Sequence, residues 1–370
     1  MKKLLNLFLV FGLLTASGCA STSGTNKEAL TFDITKGKSS SAVLDTTLDE
    51  FTKEGFDLGD SLNLEFSDGT KITDVPYING NYVRLGRIIV TYSESKDTIS
   101  LSSCFGSFFS AIDYKEGMTC EITLNEKGKY LDLYNTFKDG YSSDRNDYSS
   151  DIEFANFRNI CVGNIKENFI YRGASPIDET RNRGSYGNTL IESVGIRCDI
   201  DLADSAKQFE EWFDKDSFNS AYVKDLYEQD DVATLSMNTD STSDEFKQGI
   251  KNGFEFMLNH EGPYYIHCIE GKDRTGIVCI LLESLANATY EEMKEDYMAT
   301  YVNYYHVEKE SDIYKFMVTE LFETILQKLY NIDSDTSLTN YDYKTAANEY
   351  LLGCGLTEEE IANLTTLITK

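Results

Sequence analysis

The stretch that most constrains this chain is His267-Cys268-Ile269-Glu270-Gly271-Lys272-Asp273-Arg274-Thr275-Gly276. Pro263-Tyr264-Tyr265-Ile266 precedes it, an apolar run short enough for a buried strand. Ile277-Val278-Cys279-Ile280-Leu281-Leu282 follows and opens a long helical pattern. A strand feeding a tight loop that opens a helix belongs to layered α/β structure. It is also an anion site, because free backbone N–H groups and the positive helix end face the loop. A field of that sign favours the thiolate of a cysteine, which is the nucleophilic form. An arginine six positions after the cysteine can curl back and hold two phosphate oxygens in a bidentate fork. Cys268, Arg274 and the loop between them read as a site for cleaving phosphate esters.

The rest of the chain divides around this stretch. Residues 29–145 read as a small all-β domain. Leu62–Phe66 alternates and is followed by Asp68-Gly69, a hairpin signal. Asn79-Gly80 marks a second turn, and Arg87–Tyr92 and Thr98–Leu101 flank a polar loop. Cys120–Leu124 and Tyr130–Leu133 read as two further strands, in a small sandwich or barrel without a catalytic constellation. Asp139–Asp151 is polar and forms the boundary. Residues 152–370 read as an α/β domain with a central, mostly parallel sheet flanked by helices. Its strands are Ile196–Leu202, Val232–Leu235 and the run before Cys268; its helices include Ser243–Asn259, with Asp244 as a capping residue. Thr289-Tyr290-Glu291-Glu292 has the pattern of a capping box.

Charge excludes some functions. The net charge is −28, spread along the chain, so the surface repels nucleic acid and anionic headgroups. A phosphate site must then be a local positive pocket. There are eight cysteines, no C-x-x-C pair and three histidines, which does not make a structural zinc site, and no cofactor is expected. Cys104 and Cys120 are close enough in sequence to bridge; most of the others sit in apolar runs as buried thiols. Residues 1–18 have the basic start and apolar run of an export signal. Ala16-Ser17-Gly18-Cys19 resembles a bacterial lipoprotein box, although such boxes usually carry leucine where Ala16 stands. The expectation is an exported protein held on the outer face of the membrane by a lipid on Cys19, or else plainly secreted, with residues 19–28 as a tether.

Cleavage through cysteine needs more than a nucleophile. Backbone N–H groups from Ile269 through Glu270, Gly271 and Lys272 to Arg274, with the guanidinium, must meet the phosphate oxygens. Thr275 is placed to hydrogen-bond the sulfur, and His267 to order the loop from beneath. A carboxylic acid must protonate the leaving oxygen and then activate water. The candidates are Asp240, in the loop Asn238-Thr239-Asp240-Ser241, and Asp273, inside the phosphate loop. Asp201 and Asp204 end an earlier strand, and any of these is equally a turn or cap residue.

His267-Cys268-x-x-Gly271-Lys272-Asp273-Arg274-Thr275-Gly276 resembles the signature of the cysteine-dependent tyrosine/dual-specificity phosphatase superfamily, in its bacterial exported form. Asn156-Phe157-Arg158, Tyr171-Arg172-Gly173-Ala174, Asp296-Tyr297-Met298 and Tyr350-Leu351 are similar to other motifs of that group, which commonly has Asp at 159 and Ser at 173 where this chain has Asn159 and Gly173. The resemblance covers about residues 152–369 and not the β region. It implies Cys268 as nucleophile, Arg274 and the loop backbone as phosphate ligands, and Asp240 or Asp273 as general acid. It implies a phosphorylated protein, phosphotyrosine first and dual specificity second, or a small phosphorylated molecule as partner. Lys272 adds a positive charge that, in relatives, goes with phosphoinositides or inositol polyphosphates. The remaining alternative is an inert phosphate-binding surface lipoprotein. The group's usual Asp-Leu-Arg at a strand end is Asp201-Leu202-Ala203 here, which removes a basic residue from that edge.

Overall fold

The structure is a computed structural model and describes residues 29–36, 40–80, 82–84, 86–104 and 107–370. The export signal, the tether and Cys19 lie outside the described residues.

Seven strands form an antiparallel sheet: β1 (Leu30–Lys36), β2 (Ala42–Leu44), β3 (Ser61–Phe66), β4 (Lys71–Pro76), β5 (Ile88–Ser93), β6 (Thr98–Ser103) and β7 (Thr119–Glu126). Their order is β4-β3-β7-β1-β2-β6-β5. A bridge between Tyr77, just past β4, and Val90 in β5 brings the two edges together, so the sheet is nearly closed. Closure hides the edge groups that would otherwise pair with another chain. Strand periodicity fills the interior: in β6, Ile99, Leu101 and Ser103 are buried and their neighbours are half-exposed. The expected turn at Asp68-Gly69 is present. The Thr70 N–H donates to Asp68 Oδ1 at 2.9 Å, and Gly69 takes a φ of 90° that only glycine reaches freely.

One expected strand is a helix. Tyr130–Leu133 alternates in sequence, but Leu131–Phe137 is helical. Leu133 and Phe137, four positions apart, are the residues it buries, so the helical period decides. Cys104 and Cys120 are both free and buried rather than bridged, and Cys104 Sγ donates to the Val83 carbonyl at 3.0 Å. Cys161 is an exposed thiol.

The second sheet contains β8 (Arg158–Asn159), β9 (Ile170–Ala174), β10 (Cys198–Asp201), β11 (Val232–Thr234) and β12 (Tyr264–Cys268), in the order β11-β10-β12-β9-β8. It is mixed. β9 to β12 pair in parallel, and β8 pairs antiparallel with β9. All five residues of β12 are buried, as its place in the middle of the sheet requires. Ile266 joins a core with Ile200, Phe254 and Val278, while Tyr265 joins another with Tyr171, Ile191 and Phe209. Helices therefore cover both faces. The Asp273–Leu285 helix that leaves the phosphate loop is buried on all sides from Thr275 to Leu285. Ser243 rather than Asp244 caps the Asp244–Asn259 helix, accepting the Phe246 N–H at 3.2 Å. Thr289 and Glu292 form the expected capping box.

The two sheets are not independent bodies of core. Ile78, Val83, Ile89, Leu133 and Phe137 belong to the same buried cluster as the helices around β12. Tyr82 stacks on Phe137 with ring centroids 4.3 Å apart. Arg87 Nη1 pairs with Glu320 Oε1 at 2.7 Å, with only 12% and 11% of the two side chains exposed. Glu320 lies in a π-helical turn, Val318–Glu323.

Candidate active site

Cys268 ends β12, and its side chain is nearly buried at the base of the loop. The loop must then turn sharply into the Asp273–Leu285 helix. Gly271 makes this possible. Its φ is +65°, and a Cβ there would stand 2.1 Å from the Gly173 carbonyl oxygen. No other residue fits.

Several groups hold the loop from outside by its carbonyls. Arg172 Nη2 donates to Gly271 O at 2.9 Å, Tyr304 Oη to Glu270 O at 2.9 Å, and the Ser175 N–H to Ile269 O at 3.1 Å. Asn156 Nδ2 reaches Glu270 O and Gly271 O at 3.3 and 3.4 Å. With the carbonyls drawn outward, the N–H groups face in. None of the N–H groups of Ile269 to Arg274 has a hydrogen-bond partner among the described residues. They sit at a helix N-terminus and make an anion cradle. Ile269 is exposed at the rim.

Arg274 completes the cradle. Its Nη1 donates to the carbonyls of Met237 and Leu202 at 3.0 and 3.3 Å, which fixes the guanidinium plane. Nε and Nη2 have no partner among the described residues and remain as a fork. Thr275 Oγ1 is buried without a hydrogen-bond partner, so its expected bond to the sulfur is not made here.

His267 does order the loop from beneath. It is fully buried, with Nε2 3.1 Å from Asp199 Oδ1 and Nδ1 3.9 Å from Asp201 Oδ1. Burial disfavours its charge, but the two carboxylates prevail and its pKa stands at about 10. Burial lifts Asp201 to about 7. An imidazolium therefore underlies the nucleophile.

The loop's own charges are paired. Lys272 Nζ is 3.1 Å from Glu270 Oε2 and 3.9 Å from Asp273 Oδ2. Burial opposes charge on both Lys272 and Glu270, yet Lys272 keeps it through Asp273 and then Glu270, and Glu270 keeps it through Lys272. Tyr141 Oη also donates to Glu270. Lys272 is thus not the free cation that its place in the sequence suggests.

The two candidate acids stand in opposite environments. Asp240 is exposed, and Oδ1 accepts Lys328 Nζ at 2.9 Å and Thr242 Oγ1 at 2.8 Å. The Lys328 bond holds this carboxyl below the usual range. Asp273 stands at the first helical position with 37% of its side chain exposed. Burial against the loop raises its carboxyl despite Lys272. Such a split separates a proton donor from a fixed anion. Asp204 is also raised, by burial.

The motifs quoted with Cys268 turn out to be the loop's foundation. Arg158 Nε donates to Asp296 Oδ1 at 2.7 Å, Arg172 Nη1 bonds Asp296 Oδ2, and Arg172 then reaches Gly271. Gly173 replaces the more common serine because a Cβ there would lie 2.4 Å from Tyr265 Oη, which donates to Ala174 O. Tyr141, Tyr304 and Lys328 carried no sequence signal, since each reaches the site from a remote part of the chain. Asp199 was within reach of sequence, beside Asp201 on one strand.

No curated protein matches the chain. Among solved structures, an uncharacterized conserved protein from Thermotoga maritima is 18% identical with a TM-score of 0.23. That likeness takes in 25% of this chain and 35% of the other, and it is too slight to bear on fold or function. The family described as the tyrosine phosphatase family matches residues 153–370, more than half of the chain and the whole phosphate loop with its supports except Tyr141. The chain belongs to the tyrosine phosphatase family.

Proposed function

We propose that this phosphatase hydrolyses aryl phosphate monoesters of the phosphotyrosine type through a phosphocysteine on Cys268. The observation that carries the reading is the cradle: unpaired N–H groups from Ile269 to Arg274, and the free fork of Arg274, around a buried cysteine. The Cys268 thiolate attacks phosphorus, and the P–O bond to the leaving group breaks. Its electron pair goes to the leaving oxygen, which takes the proton of Asp273. Water then attacks phosphorus as the S–P bond breaks, and the Asp273 carboxylate accepts the proton of that water. The donors are fixed before the reaction, which is where such sites gain most. Pairing of Lys272 with Glu270 and Asp273 gives polyphosphorylated substrates little to bind beyond the cradle.

The pH profile tests the acid. A general acid must be protonated, so activity falls as pH rises through its pKa, and a raised carboxyl moves that limb upward. Asp273→Asn is expected to lower kcat on phenyl phosphate by about 10²–10⁴ and flatten the alkaline limb. The loss in kcat/KM, which reports formation of the phosphocysteine, should be much smaller on p-nitrophenyl phosphate, whose leaving group needs no proton. Asp240→Asn and Lys328→Met should leave the limb in place. If Asp240→Asn alone flattens it, the assignment to Asp273 is wrong.

A further inference from the structure

A cavity of about 70 Å³, widening to an open mouth, starts at Asp273 and runs along the Asp273–Leu285 helix. Its deep wall is apolar. Val83, Ile277, Tyr301 and Leu321 line it, and all four are buried. Its mouth is polar, between Asp273 on one side and Thr239 and Lys328 on the other. The mouth thus lies between the acid that stands ready to donate and the loop that carries Asp240. An apolar lining with a few polar groups at the entrance marks a site for a small apolar group.

The wall is also assembled from both halves of the chain, and it is clamped. Glu320 pairs with Arg87 and accepts the Arg84 N–H at 3.2 Å, which presses the segment carrying Val83 against the π-helical turn carrying Leu321. Neither lysine beside the cavity is free for a polyanion: Lys328 is paired with Asp240 and Lys272 with Glu270. The space beside the proton donor is built for an uncharged, apolar group.

We infer that this cavity holds the apolar moiety of the leaving group of a phosphate ester, with Val83 of the seven-stranded region as its back wall. The β region is then part of the substrate site. The inference rests on the phosphatase reading, because it is the cradle that places the ester at the mouth.

The test uses the full chain and alkyl phosphonates from methyl to octyl, which put carbon where the leaving group would be. Their affinity, measured by calorimetry, should rise about fourfold per methylene until the cavity is full and then level off. In Ile325→Trp, which fills the cavity from the Thr324–Tyr330 helix, the rise should stop at a shorter chain. Affinity independent of chain length in the native protein, or no measurable binding by any member, overturns the inference. So does an unchanged series in a folded Ile325→Trp. Turnover of phenyl phosphate is followed in parallel. If it is absent while the series still rises and levels off, the catalytic reading falls and the apolar site stands.

Discussion

Cys268→Ser is expected to abolish phosphate-ester hydrolysis, with a loss on the order of a millionfold, the scale met when a covalent nucleophile is removed. A serine hydroxyl needs a base to become a nucleophile, and none is near it. His267 is the neighbour, but it is tied to Asp199 at 3.1 Å and its pKa of about 10 keeps it protonated. It cannot take a proton at neutral pH. The cradle and Arg274 do not depend on the sulfur, so the variant should still bind phosphate and vanadate. Steady-state hydrolysis of p-nitrophenyl phosphate, with vanadate binding measured separately, checks both halves. Native rates in Cys268→Ser would remove the mechanism.

Asp296→Ala is expected to be the most damaging change outside the loop itself, at about 3–5 kcal/mol of stability. Asp296 is nearly buried between Arg158 and Arg172, and the side chain of Arg172 is itself 1% exposed. Removing the carboxylate leaves the buried Arg172 and the largely buried Arg158 without the group they both bond. Burial alone would raise the Asp296 pKa, but the two arginines outweigh it and hold the group well below the carboxylate range. The sign follows. A depressed carboxyl stabilises the fold above its unfolded pKa, and that contribution is lost only as pH falls through the lower, folded value. The wild-type contribution is therefore fully present at neutral pH. Because Arg172 also holds the Gly271 carbonyl, activity should fall at temperatures where the variant is still folded. Urea unfolding at neutral pH measures the loss; a change under about 1 kcal/mol would mean the network is not a support.

What the sequence revealed, and what it hid, follows from distance along the chain. The strand, loop and helix around Cys268 are local, so their apolar runs and Gly271 expose them directly. The hairpin at Asp68-Gly69 and the box at Thr289 are local too. Tyr130–Leu133 misleads because four residues fit either period, and only Phe137 beyond them decides for a helix. The pairing of Lys272 is also local, with Glu270 two residues away, but whether such side chains meet depends on the fold of the loop. Other contacts are not local at all. Asp199 meets His267 because β10 and β12 pair with Asp201 opposite His267. Lys328 meets Asp240 across the mouth of the cavity. Val83 reaches the site from a region whose own sequence carries no catalytic pattern.

The proposed mechanism turns on covalent phosphate at Cys268. Asp273→Asn with p-nitrophenyl phosphate exposes it, because the leaving group departs without an acid while the water step loses its base. The predicted result is a burst of p-nitrophenol followed by a slow rate, and, after rapid acid quench, phosphate on the peptide that contains Cys268. A linear time course with no phosphate on that peptide, or phosphate retained in Cys268→Ser, would contradict it.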